Sequence, residues 1–279
     1  MKKGILYIVP TPIGNLEDIT LRAIKVLRSV SLIGAEDTRN SGKLLKKYEI
    51  KTPMFSYHKF NERARVEKIL NLLKNGEDVA IISDSGTPGI SDPSNIIIKS
   101  AIENKIKVET LPGATAFVPA FVSSGFDTER FYFIGFLPDK KSQKDKILHK
   151  LKPIEDGLIF YEAPHRLEKF FNEIRKIFGN RKVVIAREIS KIYETYDRIT
   201  IDEYLKNPEI IVLKGEFVII IEGAKPKNYE NQELLKMLKD LIGKGESKKN
   251  AVKKVQEITG EPKNKIYNLS LQLKTSKNI

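Results

Sequence analysis

Short runs of β-branched and other apolar residues recur along the chain at Ile5-Val9, Ser31-Ala35, Val79-Ile82, Lys107-Leu111, Phe131-Phe136, Leu158-Tyr161, Val183-Ala186 and Phe217-Ile221. Most are separated by stretches in which apolar positions return every three to four residues. Val66, Ile69, Leu70 and Leu73 trace one such helical face, and Leu167, Phe170, Phe171, Ile174, Ile177 and Phe178 another. Runs that are apolar throughout, alternating with helices, predict an α/β protein whose strands are parallel and buried on both faces.

The texture changes along the chain. From Arg181 to Gly223 there is little helical signal beyond a turn at Asp202-Lys206, and "KVVIAREI", "IYETYDRITI" and "EFVIIIEGA" suit antiparallel pairing. The pattern predicts an N-terminal α/β domain over 1–112 and a second α/β domain with a mixed sheet over 113–224. A polar, proline-containing linker, "AKPKNYENQ" (224–232), leads to a helical C-terminal domain, 225–279, with short amphipathic helices at Glu233-Ile242, Lys248-Thr259 and Pro262-Leu273. Gly260 suits the end of the second helix and Pro262 the first turn of the third.

The formal net charge of +13 favours a polyanionic partner, although a lysine-rich composition can also reflect genome bias or heat adaptation. Its distribution is informative. From residue 226 onward there are twelve lysines against six acidic residues, and "DKKSQKDKILHKLK" (139–152) has six lysines against two aspartates. One such cluster alone is an ordinary solvated helix face; two together favour RNA or DNA contact of a salt-dependent, sequence-independent kind.

The chain has no cysteine and only three histidines, His58, His149 and His165, well apart in sequence. Disulfides, thiolate zinc sites and cysteine nucleophiles are excluded, no metal site is expected, and a cytoplasmic location is the reading. The apolar run near the N-terminus ends at Pro10 after five residues, too short to cross a membrane.

Four segments rich in glycine, proline and short polar residues each follow a predicted strand: "VPTPIGN" (9–15), "AEDTRNSG" (35–42), "SDSGTPGISDP" (83–93) and "LPGATA" (111–116). In open α/β sheets, ligands collect at such strand ends. A phosphate loop fits poorly: neither G-x-x-x-x-G-K-[ST] nor G-x-G-x-x-G follows a strand, and Asp84 and Asp92 would repel a phosphate. A cationic ligand, or one rich in hydroxyls and amines, fits better. Asp84 also suits a turn-capping role.

Taken in order, "LYIVPTPIGNLEDIT", "AEDTRNSGKLL", "ISDSGTPGISDP", "LPGATAFVPA", "FIGFLP", "YEAPHRL" and "AREISKIYE" resemble the tetrapyrrole-methylase fold family. Within it they resemble the branch that methylates a cytidine 2′-hydroxyl of 16S rRNA. The resemblance covers residues 4 to about 223 and extends to the basic C-terminal helices. It departs at "SYHKFNE" (56–62), where the family often has a second histidine after the one corresponding to His58.

The resemblance implies two α/β halves with S-adenosylmethionine in the cleft between them, a homodimer, and 16S rRNA as partner, in the assembled small ribosomal subunit. It carries Pro10, Pro12, Gly86, Thr87, Pro88, Thr115 and Ala116 to the cofactor. Asp84 is suited to the ammonium or ribose hydroxyls of that ligand. Methyl transfer to a ribose oxygen depends chiefly on positioning and is assisted by a base. Candidates are Glu36, Asp37, His58 and Glu162, with Arg39, Arg166 and Arg187 able to hold phosphates or orient carboxylates. Asp37 and Arg39 lead, because a carboxylate and a guanidinium two apart at a strand end can face one cleft. Two alternatives remain open: a methylase of a small tetrapyrrole or a protein side chain on the same fold, and a helix-turn-helix regulator. The basic clusters weigh against the former, and the last predicted helix, which lacks arginine, weighs against the latter.

Overall fold

The computed structural model describes residues 2–127, 129–225 and 229–273, so part of the 224–232 linker lies outside the described residues. The chain divides into two compact units, Met1–Ala224 and Lys225–Ile279.

The first unit begins with a five-stranded sheet built from β1 (Ile5–Ile8), β2 (Leu32–Ala35), β3 (Met54–Ser56), β4 (Val79–Ile82) and β5 (Lys107–Thr110), in the order β3-β2-β4-β1-β5. Every pairing is parallel. The apolar runs are therefore covered on both sides. Val9, Ile33, Ala35, Ala80 and Ile82 face a core shared with Leu27 of α1 (Leu21–Ser29) and Leu44 of α2 (Thr38–Lys47). Leu6, Ile8, Val79 and Ile81 face Ile69 and Leu73 of α3 (Glu62–Lys74) and Ile97 of α4 (Asn95–Glu103). The three-residue β3 has no apolar run behind it, only partly buried Met54, Phe55 and Ser56, and the periodicity did not predict it.

Adjacent β1 and β4 send the chain opposite ways, β1 toward β2 and β4 toward β5. Loops leaving in opposite directions open a crevice at the strand ends, where ligands of such sheets bind.

A short helix, α5 (Phe117–Val122), leads into the second sheet. It contains β6 (Phe131–Phe136), β7 (Gly157–Glu162), β8 (Lys182–Arg187), β9 (Thr195–Thr200) and β10 (Phe217–Ile221), in the order β6-β7-β10-β8-β9. Only β6 and β7 pair in parallel; the other three pairings are antiparallel, as the changed texture predicted. One face carries α6 (Lys141–Leu151), α7 (Leu167–Phe178) and α8 (Ile201–Lys206) over Phe160, Ile185 and Ile219. The other face, with Ile159, Val184, Val218 and Ile220, packs on Ala120 and Phe121 of α5 and on Ile13 from the loop after β1. That apolar seam joins the two sheets. No helix among the described residues is long and apolar enough to cross a membrane.

The second unit packs α9 (Asn231–Gly243), α10 (Lys248–Thr259) and α11 (Lys263–Leu271) around Leu234, Leu238, Val252, Val255, Ile266 and Leu269. Gly260 ends α10 in the left-handed conformation, φ 69°. Pro262 stands at the cap immediately before α11 rather than within its first turn. Among the described residues Lys253 is paired with Glu257, Lys254 with Glu246 and Lys265 with Glu261. In the 139–152 cluster, Lys144 is buried and bound to Glu173 at 2.7 Å, so it serves the core of the second sheet rather than a basic surface.

Candidate active site

Four loops at the carboxyl edge of the parallel sheet are tied to one another. Thr11 and Gly86 exchange backbone hydrogen bonds of 2.9 and 3.0 Å, joining the loops after β1 and β4. Gly86 has φ 82°, a conformation that a side chain disfavours, and a Cβ there would meet Ile13 and the carbonyl oxygen of Ala114 at about van der Waals distance. Thr87 Oγ1 donates to that Ala114 carbonyl at 2.9 Å, linking the loop after β4 to the one after β5. Gly113 is required for close approach: a Cβ would lie 2.4 Å from Pro10 Cβ. The Asp37 N–H donates to Asp84 Oδ1 at 3.0 Å, and the Asn40 amide reaches Asp84 Oδ2 at 3.4 Å, attaching the loop after β2.

Two cavities open along this edge. The first, about 260 Å³, lies between the sheets; the first half lines it with Ile13, Gly86, Thr87, Asp92, Thr115 and Ala116, and the second with Phe136, Tyr161, Glu162, Phe217 and Val218. The second, about 520 Å³, is lined from the first half by Pro12, Asn40, Ser41, Lys43, Ser83 and Asp84, and is closed on the other side by Lys191 and Glu216. Ile13, Ser85 and Glu216 belong to both walls, so the cavities adjoin.

Among the residues expected at the cofactor, Gly86, Thr87, Thr115 and Ala116 border the first cavity, and Pro12 and Asp84 border the second. Pro10 is buried and supports Gly113 from behind; Pro88 is not on either wall.

The candidate bases separate sharply. Asp37 caps α2: its carboxylate accepts from the Arg39 N–H at 2.8 Å and holds the Arg39 guanidinium in two bonds of 3.1 and 2.7 Å. Those bonds hold its pKa down to about 2, so Asp37 is a weak base, and Arg39 is engaged with it at the surface. Glu162 borders the first cavity, yet its buried carboxylate is held by Arg166 Nε at 3.0 Å and by the Ala163 N–H at 2.9 Å. Burial raises its pKa while those two groups pull it down. Arg166 also reaches Asp139 at 3.0 Å, whereas Arg187 contacts Thr195 at 3.4 Å and is on neither wall. His58 is half-buried beside Asn61, its Nδ1 accepting the Phe60 N–H at 3.2 Å, and borders neither cavity. Glu36 is also off both walls, with a pKa raised by burial and by Asp84.

Asp92 was not among the predicted site residues. It stands on the wall of the first cavity, and burial, with Glu36 and Asp84 nearby, lifts its pKa to about 7; only a hydrogen bond from Ser83 opposes the rise. It follows Ser91, whose φ of 67° is unusual outside glycine, and Ser91 Oγ packs where a Cβ on Gly135 would sit, at 2.9 Å. Gly135 lies at the irregularity in β6, so the second sheet yields locally to seat the loop that holds Asp92. The visible sequence signal was an aspartate in a stiff loop between glycine and proline; Ser83 and Asp84 stand in the same loop, but Glu36 comes from the end of another strand.

Residues 5–204 match the model of the tetrapyrrole (corrin/porphyrin) methylases, and the chain belongs to that family of methyltransferases. Nearly the whole chain is similar to proteins named ribosomal RNA small subunit methyltransferase I. The one from Halalkalibacterium halodurans is 42% identical over 96% of this chain and 94% of its own. The one from Haemophilus influenzae is 43% identical over 96% of each chain, and that from Bacillus subtilis 41% over 95% and 93%. Among solved structures, uroporphyrin-III-C-methyltransferase from Thermus thermophilus superposes with a TM-score of 0.58 over 79% of this chain and 94% of its own, at 17% identity. The methyltransferase CobJ gives 0.62 over 81% and 97%, at 16% identity. At those identities the likeness is one of fold.

Proposed function

We propose that this protein methylates the 2′-hydroxyl of a cytidine in 16S rRNA, with S-adenosylmethionine as donor and the assembled small ribosomal subunit as substrate. The observation that carries the reading is the similarity to the rRNA methyltransferases over 96% of the chain, which takes in the basic helical unit beyond the family model. A homodimer and a cytoplasmic location belong to the same reading.

The first cavity suits the donor. Gly86 and Thr115 border it, Ile13, Phe217 and Val218 give it apolar surface, and Asp92 supplies an acidic group matched to a cation. The donor supplies an electrophilic methyl on a positively charged sulfur. Thr87 and Gly86, tied to Ala114 and Thr11, hold the wall rigid, so little ordering is left to the moment of binding.

Asp92 takes the role of proton acceptor in this reading. A base works best with a pKa near the working pH, and Asp92 meets that condition where Asp37 does not. Ser83, which lowers the pKa of Asp92 and whose hydroxyl donates to the Gly86 carbonyl oxygen at 3.1 Å, borders the second cavity, so the Asp92 carboxyl stands close to the partition between the two spaces.

The test is to incubate the protein with labelled S-adenosylmethionine and, separately, small ribosomal subunits, free rRNA and DNA, and to map the label. Label on a cytidine 2′-oxygen of the subunit RNA is expected. Label on a base would refute the chemistry, and absence of donor binding by calorimetry would end the reading altogether.

A further inference from the structure

We propose that the second cavity, over the first turns of α2, seats the target nucleotide of the RNA strand, with Lys43 pairing with its phosphate. The inference rests on the methyltransferase reading above and assigns the place and the grip of the substrate.

Position is the first argument. Ile13, Ser85 and Glu216 form a partition common to both cavities, so a ribose held against it from the second cavity lies next to whatever occupies the first. At about 520 Å³ the space falls within the roughly 300–1,000 Å³ of ordinary small-ligand pockets.

Chemistry is the second. The wall carries polar residues from three separate elements, Asn40 on α2, Ser83 after β4 and Lys191 between β8 and β9.

Charge is the third. Lys43 is exposed and forms no ion pair among the described residues, unlike Lys144, Lys254 and Lys265. Lys191 is held by Glu188 at 2.8 Å and by Glu216 at 3.1 Å, and its second partner is 71% exposed. The bond to Glu216 is the weaker of the two, because that carboxylate is exposed, whereas the bond to the largely buried Glu188 keeps Lys191 in place at the wall. The carboxylate of Asp84, already accepting from Asp37 and Asn40, repels a phosphate less than an unbonded one would. A neutral sugar and base flanked by phosphates matches this mixture; a free polyanion would meet Asp84 and Glu216.

Lys43→Glu tests it, with Lys25→Glu, an exposed lysine of α1, as control. Steady-state methylation of small subunits and anisotropy of a labelled single-stranded oligoribonucleotide are read together, with donor binding followed by calorimetry. For Lys43→Glu, KM for the subunit and Kd for the oligonucleotide should rise by on the order of tenfold. The slope of log affinity against log salt should fall by about one, with donor affinity unchanged. The control should match wild type. Unaltered KM, Kd and salt slope in Lys43→Glu, in a preparation whose wild type methylates subunits, would overturn the inference; wild type that methylates no subunit would instead remove the functional reading beneath it.

Discussion

In the first sheet all five strands run the same way, so their carboxyl ends meet at one edge; in the second, three of four pairings are antiparallel and loops leave at both edges. The parallel sheet accordingly gathers four polar loops into one place. The mixed sheet contributes a wall: Tyr161, Phe217 and Val218 present side chains from strands, and its one buried carboxylate there, Glu162, is committed to Arg166. The difference teaches that topology sets what each half brings to the cavities, loop residues from the first and mainly strand side chains from the second, with Lys191 and Glu216 beside them.

That division can be broken by substitution. Asp92→Asn, in the first half, should lower kcat by roughly 10²–10⁴-fold, the usual worth of a positioned base, while the chain stays folded by circular dichroism. In wild type, kcat should climb with pH and level off above about 7, where Asp92 is ionised; a flat profile would remove it from the chemistry. Arg166→Ala, in the second half, should act on the fold instead, since it leaves the Glu162 carboxylate buried without its guanidinium. A loss of about 3 kcal/mol in denaturant unfolding is expected, and Glu162→Gln in the same background should recover part of it.

Asp92 also carries a stability signature independent of activity. Unfolded, it titrates near 3.8; folded, near about 7. Between these values the folded chain holds a proton that the unfolded chain has released, so this group makes stability fall as pH rises from about 4 to 7 and level off above. The upper bound is about 4 kcal/mol, and solvent access reduces it to about 2. Thermal unfolding across that range should show a flatter dependence for Asp92→Asn than for wild type, and equal slopes would deny the raised pKa. The smallest effect is expected at Asp84→Ala, which removes hydrogen bonds to Asp37 and Asn40: about 1 kcal/mol of stability, with donor affinity held within about threefold. A large loss of affinity would return Asp84 to the donor site, as an ammonium or hydroxyl partner.

Much of this arrangement was legible beforehand. Strands such as Val79–Ile82, buried along their whole length, announce themselves as uninterrupted apolar runs, and α7 by its 3.6-residue period. Gly86, Thr87, Thr115 and Ala116 stood out because stiff loops after parallel strands are where such sheets bind ligands. The roles of the carboxylates were not legible. Asp37 and Arg39 looked like a catalytic pair and are bonded to each other as a helix cap, because the cap geometry uses the same residues at the same spacing.

By itself, then, the sequence determined what local pattern encodes: which segments become strands and helices, which loops are rigid, where lysines gather, and, through its ordered motifs, the family. Only the tertiary structure decided which acids are free. The pKa of Asp92 depends on Glu36, Asp84 and Ser83, drawn from the ends of two strands, and the reserve of Glu162 on an arginine four residues on, past the end of its strand. Proton affinity is set by burial and by charges within a few ångströms. Some of those neighbours stand in the same loop, but Glu36 is brought in by folding, and which of the nearby charges ends against which carboxyl is not written in their spacing.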